Sequence, residues 1–249
     1  MAVHSPRVIQ RQPDTVHVSA PAGNAPLAAP SLENGDRLTR PEFERRYAAM
    51  PQLKKAELIE GIVYMSSPLK YDEHAVPHSK VITWLSVYAA STRYTACADN
   101  ATVRIDIDNE VQPDALLHID AAAGGAAQVT PDGYLQGAPE LIVEIAVSSA
   151  SNDLHDKFRV YRRAGVQEYA VWQVYERRFD WWALDSTNGD YLPLGADVDG
   201  IIRSKTFPGL WLNMTALISG NLADVLKSLQ QGLNSAEHAD FLKRLTITF

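Results

Sequence analysis

Residues 139–172 read PELIVEIAVSSASNDLHDKFRVYRRAGVQEYAVW. The apolar run Leu141–Val147 holds one charge, Glu144, and a polar turn, Ser148–Asn152, follows it. An amphipathic helix is expected over about Asp153–Ala164, stopped by Gly165, and a second apolar run starts at Tyr169. Short apolar runs bounded by turn residues signal buried strands, so the pattern predicts a strand–helix–strand unit. A carboxylate inside such a strand is costly to bury unless it is neutralised or partnered. On a strand, Glu144 shares a face with Ile142 and Ala146.

The same motif recurs upstream. In Gln112-Pro113-Asp114-Ala115-Leu116-Leu117 a carboxylate again sits in an apolar strand, directly after a proline. Pro113 cannot donate to a sheet ladder, which places Asp114 near a strand start or a bulge. Two carboxylates on neighbouring strands form a natural seat for a hard divalent cation. Either one alone reads equally well as an exposed edge residue or an arginine partner. Asp153, Lys157 and Tyr161 follow at i, i+4, i+8 and form one stripe on the expected helix. Because only a short link joins the Glu144 strand to that helix, Lys157 can project toward the carboxylates. There it could orient a water and stabilise charge on a phosphoryl oxygen. Alone, the Asp153–Lys157 spacing is also that of an ordinary surface pair.

The rest of the 249-residue chain fits one mixed α/β domain. Residues 1–35, rich in Ala, Pro and Ser, read as a disordered tail. Thr39-Arg40-Pro41-Glu42 matches a capping box opening a helix to about Met50. Ala56–Pro68 alternates about Gly61 as a strand pair, and His78–Ser91 has helical spacing. Three strands are expected over Tyr94–Asp99, Thr102–Ile107 and Val111–Ile119, then a surface loop over Ala121–Ala138. Arg178–Leu184 and Tyr191–Leu194 should pair about Asn188-Gly189, with Trp181 and Trp182 on opposite faces. A helix over Thr215–Leu229 and a second beyond it would form a C-terminal helical extension, 214–249, to a domain at 36–213.

Composition excludes several classes. No apolar run approaches the roughly 20 residues of a membrane span. The start of the chain has no basic segment followed by an unbroken apolar core, which argues against a signal peptide. A single cysteine, Cys97, fits a reducing, cytoplasmic setting. The net charge of -7 argues against nucleic-acid binding by the surface as a whole. Locally, however, Lys157–Arg178 holds six basic residues against two acidic ones, a candidate basic face for DNA. The alternative is a solvated helix face. Phosphate-loop, dinucleotide and serine-hydrolase signatures are missing from the sequence. His74 and His78 lie four apart, but Pro77 is expected to break the helix that would align them on zinc.

The order of Glu57-Leu58-Ile59-Glu60-Gly61, Met65-Ser66-Ser67-Pro68, His78, Pro113-Asp114 and Pro139–Glu144 resembles the Uma-type "putative restriction endonuclease" family. Ser148, Asp153, Lys157, Tyr161 and Gly165-Val166-Gln167-Glu168-Tyr169 continue the match. That family lies within the PD-(D/E)XK nuclease superfamily, and the resemblance runs from about Leu38 to Leu212. It implies a restriction-endonuclease-like α/β core, with a central mixed sheet of four or five strands flanked by helices. It further implies Mg2+, with Mn2+ able to substitute, held by Asp114, Glu144 and the backbone carbonyl of Ile145. Catalysis would fall to Asp114, Glu144 and Lys157, with Glu57 and His78 in support. The superfamily's usual lysine position, two residues after the glutamate, is Ala146 here, so the lysine is displaced to the helix. The implied reaction is hydrolysis of a DNA phosphodiester to a 5′-phosphate, for which a homodimer would suit double-strand cleavage. The competing reading is a nuclease fold that no longer cleaves and binds nucleic acid or protein. A weaker one makes the two carboxylates a glycosidase pair.

Overall fold

The structure, a computed structural model, describes residues 29–65, 70–147 and 152–246. Most of the expected tail, Ser66-Ser67-Pro68 and the Ser148–Ser151 part of the polar turn lie outside these residues.

Helix α1 (Arg40–Ala48) leads into a hairpin of β1 (Ala56–Ile59) and β2 (Ile62–Met65). A π-helical turn, Tyr71–Ala75, runs directly into α2 (Val76–Ser91). Next come β3 (Thr95–Asp99), β4 (Val103–Arg104), β5 (Glu110–Val111), β6 (Ala115–Ile119), β7 (Gln128–Val129) and β8 (Leu135–Gln136). The opening stretch gives β9 (Leu141–Ala146), a second π-helical turn at Asn152–Lys157, α3 (Phe158–Ala164) and β10 (Glu168–Gln173). The chain ends through β11 (Arg178–Leu184), β12 (Tyr191–Pro193), β13 (Ile201–Arg203), β14 (Trp211–Asn213), α4 (Met214–Ser219), α5 (Leu222–Leu233) and α6 (Ala236–Arg244).

The strand–helix–strand expectation holds: β9 and β10 pair in parallel with Glu144 opposite Val171. They form the centre of a mixed six-stranded sheet ordered β12-β11-β10-β9-β6-β3. A second six-stranded sheet, β2-β1-β5-β4-β8-β7, and the β13–β14 ribbon complete the set. The expectation of four or five central strands is therefore too low. Residues 111–119 do not form one strand either. Without an N–H at Pro113 the ladder stops, and the chain passes from β5 in the second sheet to β6 in the central one. Within the expected loop 121–138, β7 and β8 extend the second sheet.

Alternation on β9 decides the layers. Leu141, Val143 and Ile145 face a core filled by Val81, Trp84, Leu85 and Tyr88 of α2, with Leu217, Leu229 and Phe241 from the last three helices. Those α2 residues recur at the i, i+3, i+4, i+7 spacing of one helix face. Ile142 and Ala146 face the other way, toward Val160 and Tyr161 of α3 and toward Ile59 and Val111 of the second sheet. Glu144 shares that face and is 2% exposed. Trp181 is buried and Trp182 half-buried, as opposite faces of β11 require.

Local chemistry sets several boundaries. Glu60 and Gly61 both have positive φ, 51° and 73°, the twist of a two-residue type I′ hairpin. The capping box is not made. Thr39 contributes no side-chain cap, and Glu42 instead takes Arg45 and Arg46 at 2.7 Å each. The helix expected over Thr215–Leu229 breaks at Gly220, which is left-handed, and restarts with Asn221 capping Asp224 N–H. Pro77 does not break α2 because it sits in the first turn, where its missing N–H costs nothing.

Glu168 and Glu140, both quoted from the sequence motifs, turn out to tie loops to strands. The buried Glu168 carboxylate accepts from Lys205 N–H (2.6 Å), Thr206 N–H (2.9 Å), Ser204 Oγ (2.8 Å) and Trp181 Nε1 (3.1 Å). Glu140 likewise accepts from Ile119 and Ala126 N–H, at 2.8 Å each. Burial raises the Glu168 carboxyl above its ordinary value of 4.5, against the pull of these donors. A raised folded value means stability is fully present below 4.5 and is lost as pH rises through that folded value. Glu168→Ala should cost about 3 kcal/mol by urea denaturation, since it orphans several buried donors. Glu168→Gln should flatten the decline of stability with pH above 4.5.

Candidate active site

The chain's crossing between sheets builds the site. At Gln112-Pro113-Asp114 the ladder is interrupted, and carboxylates accept the N–H groups that strands would otherwise take. Gln112 N–H donates to Glu57 Oε1 (2.8 Å), Asp114 N–H to Glu144 Oε2 (3.2 Å), and Ile145 N–H to Asp114 Oδ2 (2.9 Å). Asp114 and Glu144 thus each hold the other's strand.

Lys157 enters from the π-helical turn. Its Nζ lies 3.0 Å from Glu144 Oε1, 3.0 Å from Glu57 Oε1 and 3.6 Å from Asp153 Oδ1. Tyr161, one turn on, donates its hydroxyl to Glu144 Oε1 at 3.1 Å. The stripe read from the sequence is therefore the stripe that faces the carboxylates. His78 Nε2 lies 2.7 Å from the Asp114 carbonyl oxygen and 3.2 Å from Asp99 Oδ1. All the singled-out side chains, Asp114, Glu144, Lys157, Glu57 and His78, come together.

Sequence reading missed two neighbours. Lys55 Nζ lies 3.3 Å from Asp114 Oδ1; it is two residues from Glu57, the spacing that shares one strand face. His74 Nε2 lies 3.5 Å from the same oxygen, and the His74 and His78 rings sit 5.6 Å apart. Their four-residue spacing aligns them after all, because the first π-helical turn continues into α2 and Pro77 does not break it.

The basic face expected over Lys157–Arg178 is not a free cationic surface. Lys157 is buried, Arg159 pairs with Asp156 and Glu60, Arg163 with Glu60, Arg162 with Asp190, and Arg178 with Asp180. Glu60 and Asp190, from outside the run, pair with three of its arginines, which a count within the run does not show.

Electrostatics separate the two central carboxylates. Burial opposes ionisation of Asp114, yet His74, Lys55 and the Ile145 N–H outweigh it and hold this carboxyl well below the usual range. Burial pushes Glu144 up to about 8; Lys157 pulls it down, while Asp114, Asp153 and Glu57 add to the rise. Lys157 rises as well, against burial, because it serves three carboxylates. Both shifts are consistent: Lys157 gains from three negative charges, whereas Glu144 meets one ammonium and three like charges.

Among the described residues, no three His, Cys, Asp or Glu side chains converge as a complete metal cage would require. The donor set nevertheless fits a hard divalent ion. Glu57, Asp114, Glu144 and Asp153 crowd around Lys55, Lys157 and His74, so the buried cluster holds more carboxylates than lysines. Mg2+ commonly takes one or two carboxylates and fills its remaining positions with water and phosphate oxygens.

A family model described as "Uma2: Putative restriction endonuclease" matches residues 40–215. No curated protein matches the chain. Among solved structures, a "putative nuclease belonging to DUF820" from Anabaena variabilis superposes with a TM-score of 0.56 at 15% identity, covering 74% of this chain and 99% of that one. At that identity the likeness shows the fold, a restriction-endonuclease-like core. Among the described residues no helix is long and apolar enough to cross a membrane.

Removing one partner of this buried cluster should cost more than replacing a pair. Lys157→Met should lose about 3–5 kcal/mol, while Lys157→Met with Glu144→Gln should lose clearly less than the sum of the two singles. Urea denaturation of the three variants measures the coupling; strict additivity would mean that the 3.0 Å contact carries no energy.

Proposed function

The chain belongs to the Uma2 family of putative restriction endonucleases, and on that premise we propose that it is a metal-dependent DNA endonuclease acting in the cytoplasm. The observation that carries this reading is the placement of Lys157 Nζ at 3.0 Å from both Glu144 and Glu57, on the strand pair that Asp114 and Glu144 lock together.

Asp114, Glu144 and the Ile145 carbonyl would hold Mg2+ or Mn2+. When bound, such an ion acidifies a water and offsets charge on the phosphate. The chain's own residues do the rest. Lys157, kept charged by its three carboxylates, stabilises negative charge growing on the phosphoryl oxygens and orients the attacking water. Glu57 fixes the ammonium, and Tyr161 fixes the Glu144 carboxylate. His78 and Lys55 hold the main chain and side chain of Asp114. Water adds to phosphorus, the bond to the 3′-oxygen breaks, and that oxygen leaves with a proton, giving a 5′-phosphate and a 3′-hydroxyl.

Cleavage of supercoiled plasmid and single-stranded DNA, at low salt with Mg2+ or Mn2+, tests the reading. Wild type should cut, and Glu144→Ala and Lys157→Ala should each lower the rate by at least about a hundredfold. Mg2+ should also raise the melting temperature of the wild type, and Asp114→Ala should abolish that rise. Retained cleavage in Lys157→Ala would remove the lysine from the mechanism. Neither cleavage nor metal-dependent stabilisation would replace the enzyme with a binding module of the same fold.

A further inference from the structure

Beside the site, α1 and the loop after it face β4 and β5 across a cavity of about 500 Å³. Gln112 is buried in its wall, with Nε2 donating to Tyr47 Oη (3.3 Å) and Thr102 Oγ1 (3.2 Å). Glu110, 5% exposed, keeps an oxygen, Oε2, that has no hydrogen-bond partner; Arg104 Nε is 3.6 Å away. Tyr134 stands at the rim, 40% exposed, with the Arg104 guanidinium 4.2 Å from its ring centre.

The cavity and the site share walls. The Gln112 backbone N–H is the one that Glu57 accepts. Lys55 Nζ lies 3.3 Å from Asn100 Oδ1, a cavity residue, and 3.3 Å from Asp114 Oδ1. An occupant of the cavity is therefore one side chain away from the carboxylates.

The lining selects the occupant's chemistry. Glu44 and Glu110 make the cavity a poor seat for an anion, and Arg104 is already committed to Glu44 (2.9 Å) and Asp132 (2.8 Å). Burial and then the neighbouring Glu44 push the Glu110 carboxyl up to about 7, against the pull of Arg104 and Arg40. A purely apolar occupant would leave Glu110 Oε2 without a hydrogen-bond donor. A flat heteroaromatic ring with hydrogen-bonding edges suits both the tyrosine rim and the polar wall. Carboxylates accept from the exocyclic amine of a base such as cytosine.

We propose that this cavity receives an unpaired nucleobase carrying an exocyclic amino group, from the strand whose neighbouring phosphodiester lies at Asp114 and Glu144. The proposal rests on the nuclease reading of that site and names its substrate as single-stranded or base-extruded DNA. In a paired duplex the same base edge is taken, so the base must leave the stack to enter.

The test is fluorescence anisotropy without metal, using short labelled oligo-dC, oligo-dT and a fully abasic backbone of equal length. Wild type should bind oligo-dC about tenfold more tightly than the abasic strand, the scale of one stacked base. Tyr134→Ala should erase most of that gap while leaving abasic binding and the melting temperature unchanged. Glu110→Gln should level the preference for oligo-dC over oligo-dT. Equal wild-type affinity for oligo-dC and the abasic strand, an equal loss on both in Tyr134→Ala, or no binding of either would overturn the proposal. Plasmid cleavage with Mg2+ separates the two readings. Cleavage without base discrimination sinks the cavity assignment alone, and base discrimination without cleavage sinks the nuclease reading alone.

Discussion

Three carboxylates doing the work of a sheet ladder are the constraint on which this structure depends. Where β5 ends and β6 begins, Glu57, Glu144 and Asp114 accept the N–H groups of Gln112, Asp114 and Ile145. A buried N–H left without an acceptor is costly, so the transfer between the two sheets needs acceptors that the ladder cannot supply there. Pro113, with no N–H of its own, ends the ladder there, and side-chain oxygens take the N–H groups around it. The acids are thus structural before they are chemical.

Their burial has a second consequence. Carboxylates this close repel one another, and Lys55 and Lys157 do not match their number. The upward shift of Glu144 and the downward shift of Asp114 express one imbalance from two sides. Such a cluster is a weak contributor to stability, because the desolvation of its charges offsets their attraction. The fold keeps it in place from both sides, with α2 and the C-terminal helices under one face of β9 and α3 with the second sheet over the other.

Acidic residues in equally apolar sequence settings play a different part elsewhere. Glu168 accepts the N–H groups of Lys205 and Thr206, Glu140 those of Ile119 at the end of β6 and of Ala126, and both serve as anchors. Glu110 differs again, because its Oε2 makes no hydrogen bond and has only the Arg104 guanidinium nearby, at 3.6 Å. Three fates for buried acids in one chain show why a carboxylate in an apolar run is only a starting point.

The sequence by itself determined the strand–helix–strand unit, the face of β9 that carries Glu144, the interruption at Pro113 and the helical stripe of Lys157 and Tyr161. Each of these follows from periodicity or from proline's missing donor, which act within a few residues. Tertiary structure alone decided that 111–119 divides between two sheets, that Lys55 and His74 join the site, and that the arginines of α3 meet Glu60 and Asp190. The capping box fails for a local reason instead, since Glu42 pairs with Arg45 and Arg46, three and four residues on in the same helix. Local pattern fixes which side of an element a residue occupies. What waits on that side comes from segments distant in the chain, brought there by burial of the core, and no local rule encodes it.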